Sequence, residues 1–412
     1  MYLAVSPRWS GLTVGVRPGP HLLFVLYPAF GHTLPMVPII DRLVDRGARV
    51  TATTGAAMAD RVRAAGADPV LYTTDLSTAA PPDHLPPDEL AERTLLYLEQ
   101  ILAIAPVLAA SCPRPPDAVV FDTTLWAPSR VQAARWGRPA VQVVPTFASN
   151  EHFSVTEKLA ELSTPLDPAH PALVRFGERL AEHAADHGVP ASVYGGAGEL
   201  NVVTIPREFQ VHGDTFGGDH VFVGPCLSPE EGGWAPPADG RPVVLISLGT
   251  TVNEQPGFFA DCVRAFTGTG WHVVLSLGGR VSPADLGPLP PNVEAHDWIP
   301  HGSVLRHASV FVCQGGMGSV QESLHHGVPM VVAAHHPEQR ANADRIAELG
   351  LGALLDRHRV TGEQVRDAVD AVAADPGVRA GVLAMRGHVR AGGGAERAAE
   401  LITAHATRAA AV

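Results

Sequence analysis

Val310-Phe311-Val312-Cys313-Gln314-Gly315-Gly316-Met317-Gly318-Ser319-Val320-Gln321-Glu322 is the stretch that decides the fold. Its first four residues form an apolar run of buried-strand length, and the glycines that follow mark a tight turn. Val320 and Leu324 then open an amphipathic helix whose apolar face points toward the sheet. A strand that turns directly into a helix is the repeating unit of a parallel sheet wrapped by helices. Gly315, Gly316 and Gly318 let the backbone approach a ligand closely, and a helix N-terminus favours negative charge. Ser319 and Glu322 share one face of that helix, offering a hydroxyl to a phosphate and a carboxylate to ribose hydroxyls. Tight packing alone also uses such a turn, so its neighbours give it weight.

Trp298, ahead of Ile299-Pro300-His301, offers a flat surface on which a base stacks, although a lone tryptophan is more often a half-buried packing residue. Val328 to Ala334 reads as the next strand, and Glu338-Gln339 follow its end. Platform, turn, Ser319, Glu322, Glu338 and Gln339 thus gather outside the carboxyl ends of neighbouring strands, where doubly wound sheets bind ligands. Val243 to Leu248, running into Gly249-Thr250-Thr251, and Trp271 to Leu277 supply two further strands.

The same grammar appears near the start of the chain. Leu22 to Tyr27 is a buried-strand run that leads into Gly31-His32-Thr33-Leu34-Pro35. Pro35 suits the first turn of a helix with Met36, Ile39, Ile40 and Leu43 on its apolar face. Gly47 ends that helix, Ala48 to Thr53 follows as a strand, and Ala118 to Phe121 is another that stops at Asp122. Taken singly, His32 is one of 20 histidines and Asp122 reads as a helix cap. As a pair they make chemical sense. An imidazole with an ordinary pKa of about 6.5 accepts a proton near neutrality. A carboxylate on its other nitrogen sets the tautomer and stabilises the resulting cation.

The pattern predicts an α/β fold with two doubly wound parallel-sheet domains facing each other across a cleft. The expected division is a loose leader at 1–20, an acceptor half at 21–227, a Pro/Gly-rich linker at 228–240 and a nucleotide half at 241–390. The helical segment 391–412, after a break at Gly392-Gly393-Gly394, is expected to cross back to the first domain. Residues 150–200 are polar and helix-prone, and read as an insertion near the cleft. With 412 residues, 46% of them hydrophobic, the chain is long enough for two real cores. A net charge of −12 without a Lys/Arg-rich run speaks against nucleic acid or an anionic membrane as partner. Four cysteines without CxxC spacing predict neither a zinc site nor a disulfide framework, and point to a reduced, cytoplasmic compartment. No apolar stretch reaches the roughly 18 residues needed to span a bilayer. No D-x-D or clustered His/Asp spacing predicts a metal site, and no cofactor is expected.

Asp297-Trp298-Ile299-Pro300, Gly316-Met317-Gly318-Ser319, Gly327-Val328-Pro329-Met330-Val331-Val332 and Pro337-Glu338-Gln339-Arg340-Ala341-Asn342-Ala343 together carry a specific resemblance. The chain resembles the family 1 inverting glycosyltransferases of the two-Rossmann (GT-B) architecture, close to the bacterial macrolide and natural-product enzymes. The likeness runs from His21 to about Thr403. It implies that Trp298 stacks on the nucleobase, in an element that also contains Ile299 and His301, and that Glu322 binds ribose. It also implies that Gly316, Gly318, Ser319 and Thr250 surround the diphosphate, that Glu338 and Gln339 hold the transferred sugar, and that His32 is the general base with Asp122 as its partner. Two positions depart from the family pattern. His301 stands where the family usually has Gln, and Gln314 where it usually has His, which leaves the choice between uridine and thymidine diphosphate open.

The expected reaction is a single displacement in which His32 deprotonates an acceptor hydroxyl, the oxygen attacks the anomeric carbon and the nucleoside diphosphate leaves. Helix N-terminus and hydroxyls, rather than a metal, are expected to take up the departing charge. Phe30, Leu125, Trp126, Phe147, Asn150 and Phe153 are the acceptor-side candidates, and their mostly apolar character suits a lipophilic macrolide, polyketide or flavonoid. The expected partners are a nucleotide sugar, with UDP-sugars favoured over dTDP-sugars, and that acceptor, for a monomer or homodimer. The alternatives are a nucleotide-sugar epimerase or hydrolase on the same fold, or an inactive binding partner. A dinucleotide oxidoreductase is disfavoured, because the turn after Tyr27 has no G-x-G-x-x-G.

Overall fold

The apolar runs become strands in two all-parallel sheets. The computed structural model describes residues 19–74, 85–162, 165–196, 198–228, 232–249, 253–356 and 360–409. Most of the proposed leader, Thr250 and residues 229–231 of the linker lie outside these. In the first sheet, β1 (His21–Val25), β2 (Arg49–Thr54), β3 (Asp68–Leu71), β4 (Ala118–Asp122), β5 (Ala140–Val144), β6 (Leu200–Val203) and β7 (His220–Phe222) lie in the order β3-β2-β1-β4-β5-β6-β7. In the second, β8 (Val243–Ser247), β9 (His272–Ser276), β10 (Val293–His296), β11 (Ala308–Cys313), β12 (Met330–Val332) and β13 (Gly352–Leu354) lie in the order β10-β9-β8-β11-β12-β13.

Each sheet therefore reverses its winding once, between β1 and β4 and between β8 and β11. These are the topological switch points, where crevices open at the carboxyl ends of the strands. Every residue of β1, β4 and β8 is buried, as continuous apolar runs require of strands covered on both faces. Strand β1 ends at Val25, two residues before the predicted end, and β12 keeps only the middle of the expected Val328–Ala334 run.

Two apolar layers sandwich each sheet. On the first sheet, one layer holds Leu22, Phe24, Ile39 and Ile40, and is completed by Ala398, Ala399, Ile402 and Ala406 of the last helix, Gly394–Ala409. The other contains Leu98, Ile101, Leu102 and Leu108 from the helical stretch Pro87–Ala110. By length and composition that stretch passes as a membrane span, which corrects the expectation that none is long enough. Its inward residues line the core beneath β1 and β4. One layer of the second sheet continues into the first half, where Phe147, Phe209 and Phe216 join Phe311, Met317 and Leu324 in a single cluster.

In the Pro/Gly-rich linker segment, Trp234 donates from Nε1 to Glu294 Oε1 at 2.5 Å and ties that stretch to β10. The 150–200 region is helical as expected, but its long helix Pro171–Asp186 packs on Pro87–Leu102. The short helix Val155–Glu161 instead meets Pro337–Glu348 of the second half.

Candidate functional site

At the first switch point, the chain leaves β1 and forms one helical turn, Phe30–Thr33. The Thr33 hydroxyl donates to the Tyr27 carbonyl at 2.7 Å and fixes this turn. The neighbouring strand β4 ends at Asp122, which is completely buried. His32 Nδ1 lies 3.0 Å from Asp122 Oδ2 and 3.1 Å from Oδ1. A buried carboxylate requires donors, so the proton belongs on Nδ1 and the Nε2 lone pair is left as the basic site. Asp122 also acts as the cap the plainer reading expected, accepting from Thr124 N at 2.8 Å. The Thr124 hydroxyl lies 3.2 Å from His32 Nδ1. Burial of the imidazole weighs against its charge, but the Asp122 carboxylate, the hydrogen bond to it and the Glu338 carboxylate outweigh burial and hold His32 above its ordinary pKa. The field of Glu338 comes from the second half, so His32 and the turn after β12 share one cleft.

At the second switch point, Gly249 follows β8 and Gln314 follows β11. Gly249 has φ +68°, and a Cβ there would sit 2.6 Å from Gln314 Nε2, so a larger residue would be strained and would displace the Gln314 amide. Gln314 is 5% exposed, and its Oε1 has no protein hydrogen-bond partner. The helix Met317–His326 begins at Gly316 without a side-chain cap, leaving its first N–H groups open to a ligand. A Cβ on Gly316 or Gly318 would meet nothing within 4 Å, so protein packing does not demand glycine there. Five residues into that helix, Glu322 accepts from His301 Nδ1 at 3.1 Å, and His301 packs edge-on against Phe311. Trp298 is 61% exposed, whereas the adjacent Ile299 turns into the core and is 7% exposed. Ile299 can therefore face a nucleotide only through its backbone. The Gln339 Oε1 is spent on the N–H groups of His335 and His336, at 2.8 and 3.2 Å, which leaves only its NH₂ group for a ligand.

The acceptor-side candidates separate. Phe30 is 41% exposed beside His32, with the Arg61 guanidinium 5.8 Å from its ring centroid. Leu125 and Phe147 are core residues, and Phe147 stacks on Phe209. Trp126 is half-buried against Tyr194 and Arg130, and Phe153 packs on Phe147. Asn150 is engaged within the protein, donating to the Thr215 hydroxyl and accepting from the N–H groups of His152 and Phe153.

Residues 269–401 match the family described as erythromycin biosynthesis protein CIII-like, C-terminal domain. The chain is 38% identical over 398 residues to the demethyllactenocin mycarosyltransferase of Streptomyces fradiae, covering 93% of this chain and 86% of that one. It is 36% identical to the oleandomycin glycosyltransferase of Streptomyces antibioticus, covering 93% and 90%. The chain belongs to the family 1 glycosyltransferases. Its fold is theirs as well. The crystal structure of the calicheamicin glycosyltransferase CalG4 superposes with a TM-score of 0.87 at 38% identity, covering 95% of this chain and 99% of that one.

Sequence reasoning missed several residues that shape this glycosyltransferase's cleft. Asn253, fully buried, donates to the carbonyls of both Gly249 and Gly278 at 2.9 Å, and so fixes the turn after β8. Asn342 does the same for the Gly315 carbonyl at 2.9 Å. Both are single amides in helix- or loop-like sequence, and only the fold shows what they hold. Thr124 was legible in principle, because Asp-x-Thr after a strand is an Asx-turn pattern. Among the described residues of the glycosyltransferase, no three His, Cys, Asp or Glu side chains gather as metal ligands would.

Proposed function

We propose that this glycosyltransferase transfers a hexose from a nucleoside diphosphate sugar to a hydroxyl of a lipophilic natural product such as a macrolide, polyketide or flavonoid, by one inverting displacement without a metal. The observation that carries this reading is the His32–Asp122 pair at one switch point, its carboxylate buried and its imidazole part-exposed, within the field of Glu338 beside the uncapped glycine turn of the other. Relatives named for demethyllactenocin and oleandomycin support a macrolide-like acceptor, and the exposed Phe30 beside the base suits an apolar one. In this reading Nε2 of His32 takes the acceptor's proton, and the oxygen attacks the anomeric carbon from the side opposite the departing diphosphate. Trp298 carries the base, Glu322 the ribose, and Glu338 and Gln339 the sugar. The open N–H groups at Gly316–Ser319, with Thr250, receive the leaving charge.

Uridine and thymidine diphosphate sugars, each offered with a macrolide and a phenol, identify the donor and acceptor classes, and anomeric analysis of the product reads the stereochemistry. His32→Ala is expected to abolish transfer while nucleotide binding by calorimetry persists. Near wild-type transfer by this variant would falsify the assignment of the base.

A further inference from the structure

Asp122, Thr123 and Thr124 form a turn in which the Thr124 backbone holds the buried carboxylate and the Thr124 hydroxyl reaches His32. The Thr124 N–H holds Asp122 Oδ1 at 2.8 Å, and the Thr124 hydroxyl oxygen lies 3.2 Å from the same His32 nitrogen that faces the carboxylate. The Nδ1–H thus meets three oxygens, at 3.0, 3.1 and 3.2 Å. Beneath them, the hydroxyl of Tyr97, on the helix Pro87–Leu102, is buried without a hydrogen bond of ordinary geometry. Tyr97 is held well above its ordinary pKa by burial and by the nearby Tyr27 and Asp122, with Thr124 and Tyr72 also beside it. The floor of the pair is therefore uncharged.

We propose that Thr124 is a positioning residue that makes the His32–Asp122 pair a three-member unit. Its main-chain N–H fixes the carboxylate, and its hydroxyl oxygen shares the Nδ1–H. An imidazole gripped by three oxygens on one edge cannot swing, so Nε2 stays aimed into the cleft. The imidazolium that forms as the acceptor loses its proton gains a third oxygen partner. This deepens the reading of His32 as the base and rests on it. The charged or titratable groups around His32 are Asp122 at the end of β4, Tyr27 beyond β1, Glu338 from the second half, and Tyr97 and Tyr72 below.

Thr124→Val keeps shape and N–H but removes the hydroxyl, and Thr124→Ser returns it. Two readouts on the full chain test the idea. One is the titration of His32 by NMR with ¹⁵N-histidine, assigned by the resonance absent from His32→Asn. The other is turnover of 4-methylumbelliferone with UDP-glucose and with dTDP-glucose. Thr124→Val is expected to lower the His32 titration by about half a unit. It should also cut kcat about tenfold with donor KM within about twofold, and Thr124→Ser should restore both. A valine variant whose His32 titrates as in wild type overturns the proposal. If turnover then falls only together with melting temperature, Thr124 has a merely structural role. The titration arm needs no activity, so it decides the coupling even if His32→Ala shows that another group is the base.

Discussion

His32 acts as a base only while Nε2 is unprotonated, and its neighbours decide the pH at which that holds. Burial alone would keep the ring neutral well into mild acid, and the Asp122 and Glu338 charges reverse that preference. The acid limb of kcat/KM in the wild type is therefore expected above pH 6.5, the ordinary value. Asp122→Asn removes the stronger of the two influences and leaves burial opposed only by Glu338. The limb should move to lower pH, and the maximal rate should fall roughly 10²-fold or more as the imidazolium loses its counter-charge. A pH–rate profile that keeps its acid limb in place would separate Asp122 from the ionisation of the base.

The strand-to-helix turn after β11 uses one residue type for two different tasks. Gly315 has φ +81°, and a Cβ there would press on Val332 and on the Gln339 carbonyl, at 2.8 and 3.1 Å, so the fold itself needs this glycine. Gly316 has an ordinary φ of −61° and faces open space. Gly315→Ala is accordingly expected to cost about 1–3 kcal/mol of stability. Gly316→Ala should leave the melting temperature within about 2 °C of wild type but weaken binding of UDP or dTDP about tenfold or more, by crowding the phosphate. Thermal melts with calorimetry distinguish these outcomes, and equal losses in both variants would contradict the division of labour. Turns of this kind were readable from sequence because glycine, strand length and helix period occur in order. The edge strands β7 and β13, three residues each, were not, since they are too short to show a period. Aromatic candidates failed for a related reason. Phe30 and Phe147 have the same composition signal, and only the packing of Phe147 on Phe209 shows that one lines the cleft and the other the core.

Across the whole molecule, many histidines are held neutral by their surroundings. Burial, with the neighbouring His187 and Arg179, pushes His183 down to about 4. Burial, with His325, Arg306 and Arg390 nearby, does the same to His326, also to about 4. His21, His325, His336 and His405 are lowered as well, each chiefly by burial. The unfolded chain protonates such rings near pH 6.5 and the folded chain does not, so stability is full above that value and drains as pH falls toward 4. His32 has the opposite sign, its contribution being complete below 6.5 and lost as pH rises through its folded value. The lowered group outnumbers it. Unfolding free energy should thus drop steadily between pH 7 and 5, at roughly 1 kcal/mol per pH unit for each strongly lowered ring, and the melting temperature should fall with it. Calorimetry across that range checks the sign, and a flat or rising curve would refute it. The last helix, Gly394–Ala409, seals an apolar face whose other members, such as Leu22 and Ile39, are made first. At about 5–20 residues per second, a nascent chain waits on the order of tens of seconds before that lid leaves the ribosome. The opening half of the protein therefore travels through synthesis with a greasy flank uncovered, and a transcript cut short before codon 394 would release a product fit for chaperones and proteases rather than for chemistry.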